Sequence, residues 1–287
     1  MSGLPHDPDP AEVTRSDDRS GRRVEAPDAE RLLELAVAVA REAAELVRTA
    51  RAGTVSVAAT KTSATDVVTE VDRASERLIR TRLLAARPQD GFLGEEGTDE
   101  GSTSGVRWIV DPIDGTVNYL YDFVQYAVSI AAEVDGTVVA GVVLNVPSGA
   151  EYTATLGGGA WRDGTRLRVR EPTPLEHRLV LTGFHYTRAV RSLQAQAVAA
   201  LLLRVRDIRR AGSAALDLCL VGAGSADAYV EEGVHPWDHA AGALVAREAG
   251  ARTELAEGAG GLTLMVCAPE HGFEEFREAV VSCGFLA

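Results

Sequence analysis

Residues 107–118 read RWIVDPIDGTVN, and the rest of the chain is best understood outward from them. The run RWIV is a short apolar strand. Asp111 and Asp114 follow it directly, with Pro112 stiffening the turn between them and Gly115 letting the backbone come close to a ligand. Two carboxylates three residues apart at a strand end can face one point. Left alone they repel each other and one takes up a proton, whereas a divalent cation holds both ionised. Oxygen-only ligands favour magnesium, calcium or manganese over zinc. Asp-Pro and Asp-Gly are also ordinary turn pairs, so this spacing alone fits two turn aspartates equally well.

On the N-terminal side, Leu32, Leu33, Ala36, Val39, Ala40, Ala43, Leu46 and Val47 recur at helical spacing, which predicts an amphipathic helix from Asp28 to near Gly53. A second helix is expected from near Asp66, with Val67, Val71, Ala74, Leu78 and Leu83 on its apolar side. On the C-terminal side, residues 126–134 and 137–146 are β-rich and joined by Asp135-Gly136, a strong hairpin signal. Residues 151–155 continue the meander, and Asp163-Gly164 turns a further hairpin into 165–170. Beyond 178–182 helix and strand alternate: helices near 188–203, from Ser213, over 238–250 and from about 270, and strands near 207–210, 227–231 and 262–267. Alternation of this kind favours an α/β layer. No Pro/Gly/Ser linker separates the halves, so residues 27–287 are expected to form one domain with two sheets. Residues 1–26 carry Pro5, Pro8 and Pro10 and few large apolar side chains, a composition expected to stay disordered.

The 287 residues are 46% hydrophobic and 25% charged, ordinary for a globular protein that buries its own core without crosslinks. The formal charge of -13 repels nucleic acid and anionic lipid alike, so neither is an expected partner. An anionic substrate would then need positive charge at the site, which bound metal ions supply. Cys219, Cys267 and Cys283 form no ligand pattern and read as reduced core residues. With no apolar run of about 18 residues and no basic start before an apolar segment, the expectation is a cytoplasmic protein.

Three further acidic elements are each unremarkable alone. GEEG at 94–97 reads as a solvated loop, Asp238 in HPWDH (235–239) as a helix cap, and Asp66 and Asp72 in TDVVTEVD as a cap and a first-turn acid. As an ordered series, however, KTSATDVVTEVD (61–72), GEE (94–96), WIVDPIDGTVN (108–118), GSAALDLC (212–219) and ADAYVEEGVHPWD (226–238) resemble the inositol monophosphatase family of magnesium-dependent, lithium-sensitive sugar phosphatases. The resemblance covers nearly all of residues 28–270. It implies a layered αβαβα sandwich and a homodimer.

By position, the resemblance implies that Glu95, Asp111, Asp114, Asp238 and the carbonyl of Ile113 bind two or three magnesium ions. Asp72 would serve a weaker metal site or its water shell, and Thr116 would orient the attacking water together with Glu95. The amides of Gly115 and Thr116 would receive phosphate oxygens. Ala214 and Glu231 match positions that contact ring hydroxyls, with Asp114 and Asp238 also near the substrate. Lys61 matches a basic residue on a loop near the active site, and Ala64 departs from the proline that many relatives carry there. The expected reaction is direct attack of water on a small polyol phosphomonoester, myo-inositol 1-phosphate first. Fructose 1,6-bisphosphate, histidinol phosphate and 3'-phosphoadenosine 5'-phosphate remain alternatives, as does a regulatory protein on the same scaffold.

Other residues read as structural. His235 and His239 are assigned to capping or packing. Gly157 to Gly159 lack the Lys-Ser/Thr of a phosphate loop. Arg204, Arg206, Arg209 and Arg210 are read as a solvated face or a dimer contact.

Overall fold

The computed structural model describes residues 26–52, 57–60 and 67–287. The expected tail up to residue 25, together with Lys61, Ala64 and Asp66, lies outside the described residues. Helix α1 (Ala26–Ala52) leads to a two-stranded ribbon of β1 (Val57–Thr60) and β2 (Val67–Thr69), then to α2 (Glu70–Ala86). Next come β3 (Gly91–Gly94), β4 (Asp99–Glu100), β5 (Val106–Asp114), a short α3 (Thr116–Tyr121), β6 (Ala127–Val134) and β7 (Thr137–Asn145). The meander ends with β8 (Glu151–Thr155), β9 (Gly159–Arg162) and β10 (Thr165–Arg166). The second half runs β11 (Leu179–Thr182), α4 (Arg188–Leu202), β12 (Asp207–Arg209), α5 (Ala214–Gly222), β13 (Ala228–Glu232), α6 (Pro236–Glu248), β14 (Ala251–Glu257), β15 (Thr263–Pro269) and α7 (Phe273–Ser282).

Strands β3 to β10 make an eight-stranded sheet in the order β10-β9-β8-β7-β6-β5-β3-β4, and the last five make a second sheet in the order β12-β11-β13-β15-β14. Five layers result, because each sheet buries both faces. On the outer face of the large sheet, Ala36, Ala40, Ala43 and Val47 of α1 and Ile79 and Leu83 of α2 cover Trp108, Val110, Val128, Ile130 and Val142. On its inner face, Leu216 and Cys219 of α5 and Ala241, Leu244 and Val245 of α6 cover Ile109, Ala127, Ala131 and Val143. The same two helices turn Leu218, Val221, Ala243 and Ala246 toward Leu181, Tyr229, Met265 and Cys267 of the small sheet. Leu201 of α4 and Phe273, Phe276 and Val280 of α7 close that sheet from outside over Val180, Val230 and Val266. This is the expected αβαβα sandwich.

A helix held between two sheets has no polar face to spare, which is why the middle of α6, residues 240–246, is wholly apolar and mostly alanine and glycine. A Cβ on Gly141 of β7 would stand 3.0 Å from Ala241 Cα, and one on Gly242 would stand 2.7 Å from the carbonyl of Ala215. Small residues therefore set the spacing of the central layer. Cys219, Cys267 and Cys283 are free and buried, and among the described residues no helix is long and apolar enough to cross a membrane.

Several elements differ from the sequence expectation. The second helix starts at Glu70, because the β-branched run Val67–Thr69 pairs with β1. The strand after Asp163-Gly164 spans only Thr165–Arg166, after which the chain leaves the sheet. Strands β3, β4 and β14 were not anticipated, and β3 lies parallel to β5 within an otherwise antiparallel sheet.

Candidate active site

Alternation along β5 sends Trp108 and Val110 toward α1 and α2, and Ile109 toward α6. Asp111, two residues on, shares the face of Ile109. Simple alternation would send Asp114 the other way. Instead the pairing with β6 slips, from Asp111↔Ser129 to Asp114↔Ala127, so three steps on β5 answer two on β6. This bulge spans Pro112, which has no N–H to give the ladder, and Ile113, whose N–H donates to Asp111 Oδ1 at 3.0 Å. Ile113 packs its side chain into the α1/α2 core, and both aspartates face the same cleft.

Other elements bring their acids to this point. The amide of Glu95, just past β3, donates to the carbonyl of Val110 at 3.2 Å, which puts Glu95 beside Asp111. Asp238 lies in the first turn of α6, where Oδ2 accepts from the amide of His235 at 2.6 Å. Asp114 Oδ2 accepts from Ser213 Oγ at 2.6 Å and from the amide of Ala215 at 2.8 Å, tying β5 to the start of α5. Asp72, buried in the first turn of α2, accepts from Thr116 Oγ1 at 3.1 Å and stands behind Thr116. Ser75 Oγ donates to the carbonyl of Pro112, anchoring α2 to the bulge.

The result is a cleft of about 370 Å³ lined by Glu95, Asp111, Ile113, Asp114, Gly115, Thr116, Ala214, Glu231 and Asp238 among others. Every site residue expected from the sequence lines it except Asp72 and Lys61. Asp72 bonds to Thr116, which does line the cleft, and Lys61 lies outside the described residues. Gly115 takes a left-handed φ of 93°, and a Cβ there would meet the carbonyls of Gln125 and Gly212 at 2.9 and 3.0 Å.

Crowding of acids dominates the electrostatics. Burial pushes Asp111 well above the usual carboxylate range, and the nearby charges of Glu95, Asp114 and Asp238 and a hydrogen bond with Glu95 push it further. Asp238 is raised in the same way, by burial and then mainly by Asp114. Asp114 rises to about 6 through burial, against the lowering effect of Ser213 and the Ala215 amide. Among the described residues no three of these groups form a ready-made ligand cage. Even so, buried carboxylates this close ionise together only around a cation, and an all-oxygen donor set with one adjacent backbone carbonyl, that of Ile113, fits magnesium.

The cleft also contains residues the sequence reading did not select. Phe184, His185 and Tyr186, past the end of β11, and Trp237, whose ring stacks on His235 at 4.9 Å, form an aromatic side, and Arg210 lines it as well. Position at the C-terminal end of a strand is the signal that marks 184–186. His235 caps α6, as expected. The glycine run at 157–159 binds an anion of its own: Glu248 accepts from the amides of Gly157 and Gly159 at 2.8 and 2.9 Å.

Fold and cleft together define a phosphatase of the layered sugar-phosphatase type. The inositol monophosphatase family model matches residues 28–277, and the chain belongs to that family of phosphomonoester hydrolases. It is 45% identical over 260 residues to the inositol-1-monophosphatase SuhB of Mycobacterium tuberculosis, covering 83% of this chain and 90% of that protein. The solved structure of Mycobacterium tuberculosis SuhB superposes with a TM-score of 0.76 at 42% identity, covering 90% of this chain and 99% of that one. The Nus factor SuhB of Escherichia coli is 38% identical over 221 residues, covering 76% and 83% of the two chains.

Proposed function

We propose that this chain hydrolyses a small polyol phosphomonoester, myo-inositol 1-phosphate foremost, in a magnesium-dependent reaction. The observation that carries this reading is the bulge in β5, which turns Asp111 and Asp114 to one side beside Glu95 and Asp238, with Ala214 and Glu231 in the same cleft. Two or three magnesium ions, held by Glu95, Asp111, Asp114, Asp238 and the carbonyl of Ile113, would supply charge to the phosphate, acidify a water and stabilise the leaving alkoxide.

The side chains divide the remaining work. Thr116, held by Asp72, orients the attacking water, and Glu95 accepts its proton. The amides of Gly115 and Thr116 donate to phosphate oxygens, which brings the phosphorus into line with the water. Ala214 and Glu231 take the hydroxyls of the polyol, with Asp114 and Asp238 between them and the phosphate. The phosphoryl group passes directly to water.

The same reading includes a homodimer in the cytoplasm, inhibition by lithium, and Lys61 approaching the site. The name of the Escherichia coli relative favours a second reading, a regulatory role on this scaffold, but here every acidic position is filled. Phosphate release should be measured with magnesium from myo-inositol 1-phosphate, fructose 1,6-bisphosphate, histidinol phosphate and 3'-phosphoadenosine 5'-phosphate. Preference for the first, abolished by chelator, supports the proposal. Magnesium-dependent release from none of them refutes it.

A further inference from the structure

Two side chains of the cleft are seated directly on glycine backbone. The carboxyl of Glu231, on β13, occupies the space a Cβ on Gly183 would need, and Tyr229 Oη donates to its Oε2 at 3.0 Å. The guanidinium of Arg210, just past β12, likewise fills the space beside Gly212, whose φ is +94°. The missing Cβ at each glycine leaves room for these groups beside the backbone, and Tyr229 in addition fixes the carboxyl of Glu231. One is an acceptor and the other a donor.

Arg210 lines the same cleft as Glu231. It is exposed, and among the described residues it makes no hydrogen bond or ion pair. Its charge nevertheless reaches Glu231 and buried Asp217. Among the described residues that line the cleft it is the one Lys or Arg, facing Glu95, Asp111, Asp114, Glu231, Glu232 and Asp238. A guanidinium at a surface usually finds a carboxylate partner. Here its fork of N–H groups has no carboxylate partner among the described residues and lines the cleft with Glu231, an acceptor fixed by Tyr229.

A carboxylate beside a guanidinium matches two neighbouring hydroxyls, one donating its proton to the acid and the other accepting from the base. We infer that Arg210 is a specificity-determining contact: its guanidinium donates to one hydroxyl oxygen of the leaving polyol while Glu231 accepts from the adjacent hydroxyl. This rests on the polyol phosphatase reading above and extends it to the class of leaving group, a vicinal diol. A monophosphate without that diol makes neither contact and is turned over less efficiently.

The test compares wild type, Arg210→Met and Arg210→Lys on three magnesium-loaded reactions: myo-inositol 1-phosphate, cyclohexyl phosphate and fructose 1,6-bisphosphate. Wild type should prefer the inositol ester to the cyclohexyl ester. In Arg210→Met the kcat/KM ratio of these two should fall by about tenfold or more, mainly through KM of the inositol ester, and Arg210→Lys should recover part of it. A ratio within about twofold of wild type, or an equal loss on both esters, overturns the assignment. A loss confined to fructose 1,6-bisphosphate also overturns it and marks Arg210 as the seat of a second phosphate. Failure of wild type on all three esters is a different result, since it removes the polyol phosphatase reading itself.

Discussion

Asp114 and Ser213, 99 residues apart in sequence, meet at 2.6 Å between carboxylate and hydroxyl. The same hydroxyl accepts from the amide of Leu216 and so caps α5. One small side chain thus starts the central helix and orients an acid from the other sheet. Ser213→Ala removes both functions. It should cost about 1–2 kcal/mol of stability as a lost cap. It should also lower magnesium-dependent turnover by about 10–100-fold through misorientation of Asp114. Denaturant unfolding and steady-state kinetics on the same preparation check the two parts.

Asp217 is a buried acid with neither oxygen hydrogen-bonded, and burial followed by Glu231 and Asp114 raises its pKa well above normal, against the pull of Arg210. The folded state therefore holds this proton more tightly than the unfolded chain, which releases it near about pH 3.9. The stability linked to Asp217 is fully present below that pH and is lost as pH rises through the folded pKa. Asp217→Asn does not titrate. It should be more stable than wild type at pH 8 by about 1–3 kcal/mol, with the gap closing toward pH 4. Melting temperatures across that range report it, and a gap independent of pH contradicts the assignment.

Thr116 holds its hydroxyl between Asp72 and the carbonyl of Ile113, both at 3.1 Å. Thr116→Ser keeps that hydroxyl and should keep turnover within about threefold, whereas Thr116→Ala should lose about 10²-fold in kcat with little change in KM. Equal kinetics for the two variants would remove Thr116 from water positioning.

Gly115→Ala should damage folding as well as activity. The left-handed φ of 93° and carbonyls at 2.9 and 3.0 Å leave no place for a methyl group. A loss of about 2 kcal/mol or more is expected in chemical unfolding, since both neighbours are backbone.

Much of this fold was legible because its elements carry their own periodicity. Asp135-Gly136 and Asp163-Gly164 turn hairpins with left-handed residues at both positions, as the dipeptides imply. Strand β3 is four residues between a turn and an acidic loop, too short for alternation to show. Strand β14, ARTELAE, sits at a sheet edge, where its polar side chains stay accessible. The acids of the site were recognisable as an ordered series, and Pro112 hinted at the turn between two of them. The bulge that aligns Asp111 with Asp114 depends on pairing with β6, which no local pattern encodes. In sequence Arg210 reads with Arg204, Arg206 and Arg209 as a solvated face or a dimer contact, and its place in the cleft depends on how the chain past β12 packs, which no local pattern encodes.

The central claim is that the acids gathered by the β5 bulge form a metal-dependent hydrolytic site. The most direct measurement is phosphate release from myo-inositol 1-phosphate by wild type and Asp111→Asn side by side, with magnesium and with chelator, alongside the far-ultraviolet circular dichroism of each. The expected result is wild-type turnover abolished by chelator and a folded Asp111→Asn protein slower by about 10²–10³-fold. A folded Asp111→Asn protein that releases phosphate at the wild-type rate would contradict the claim.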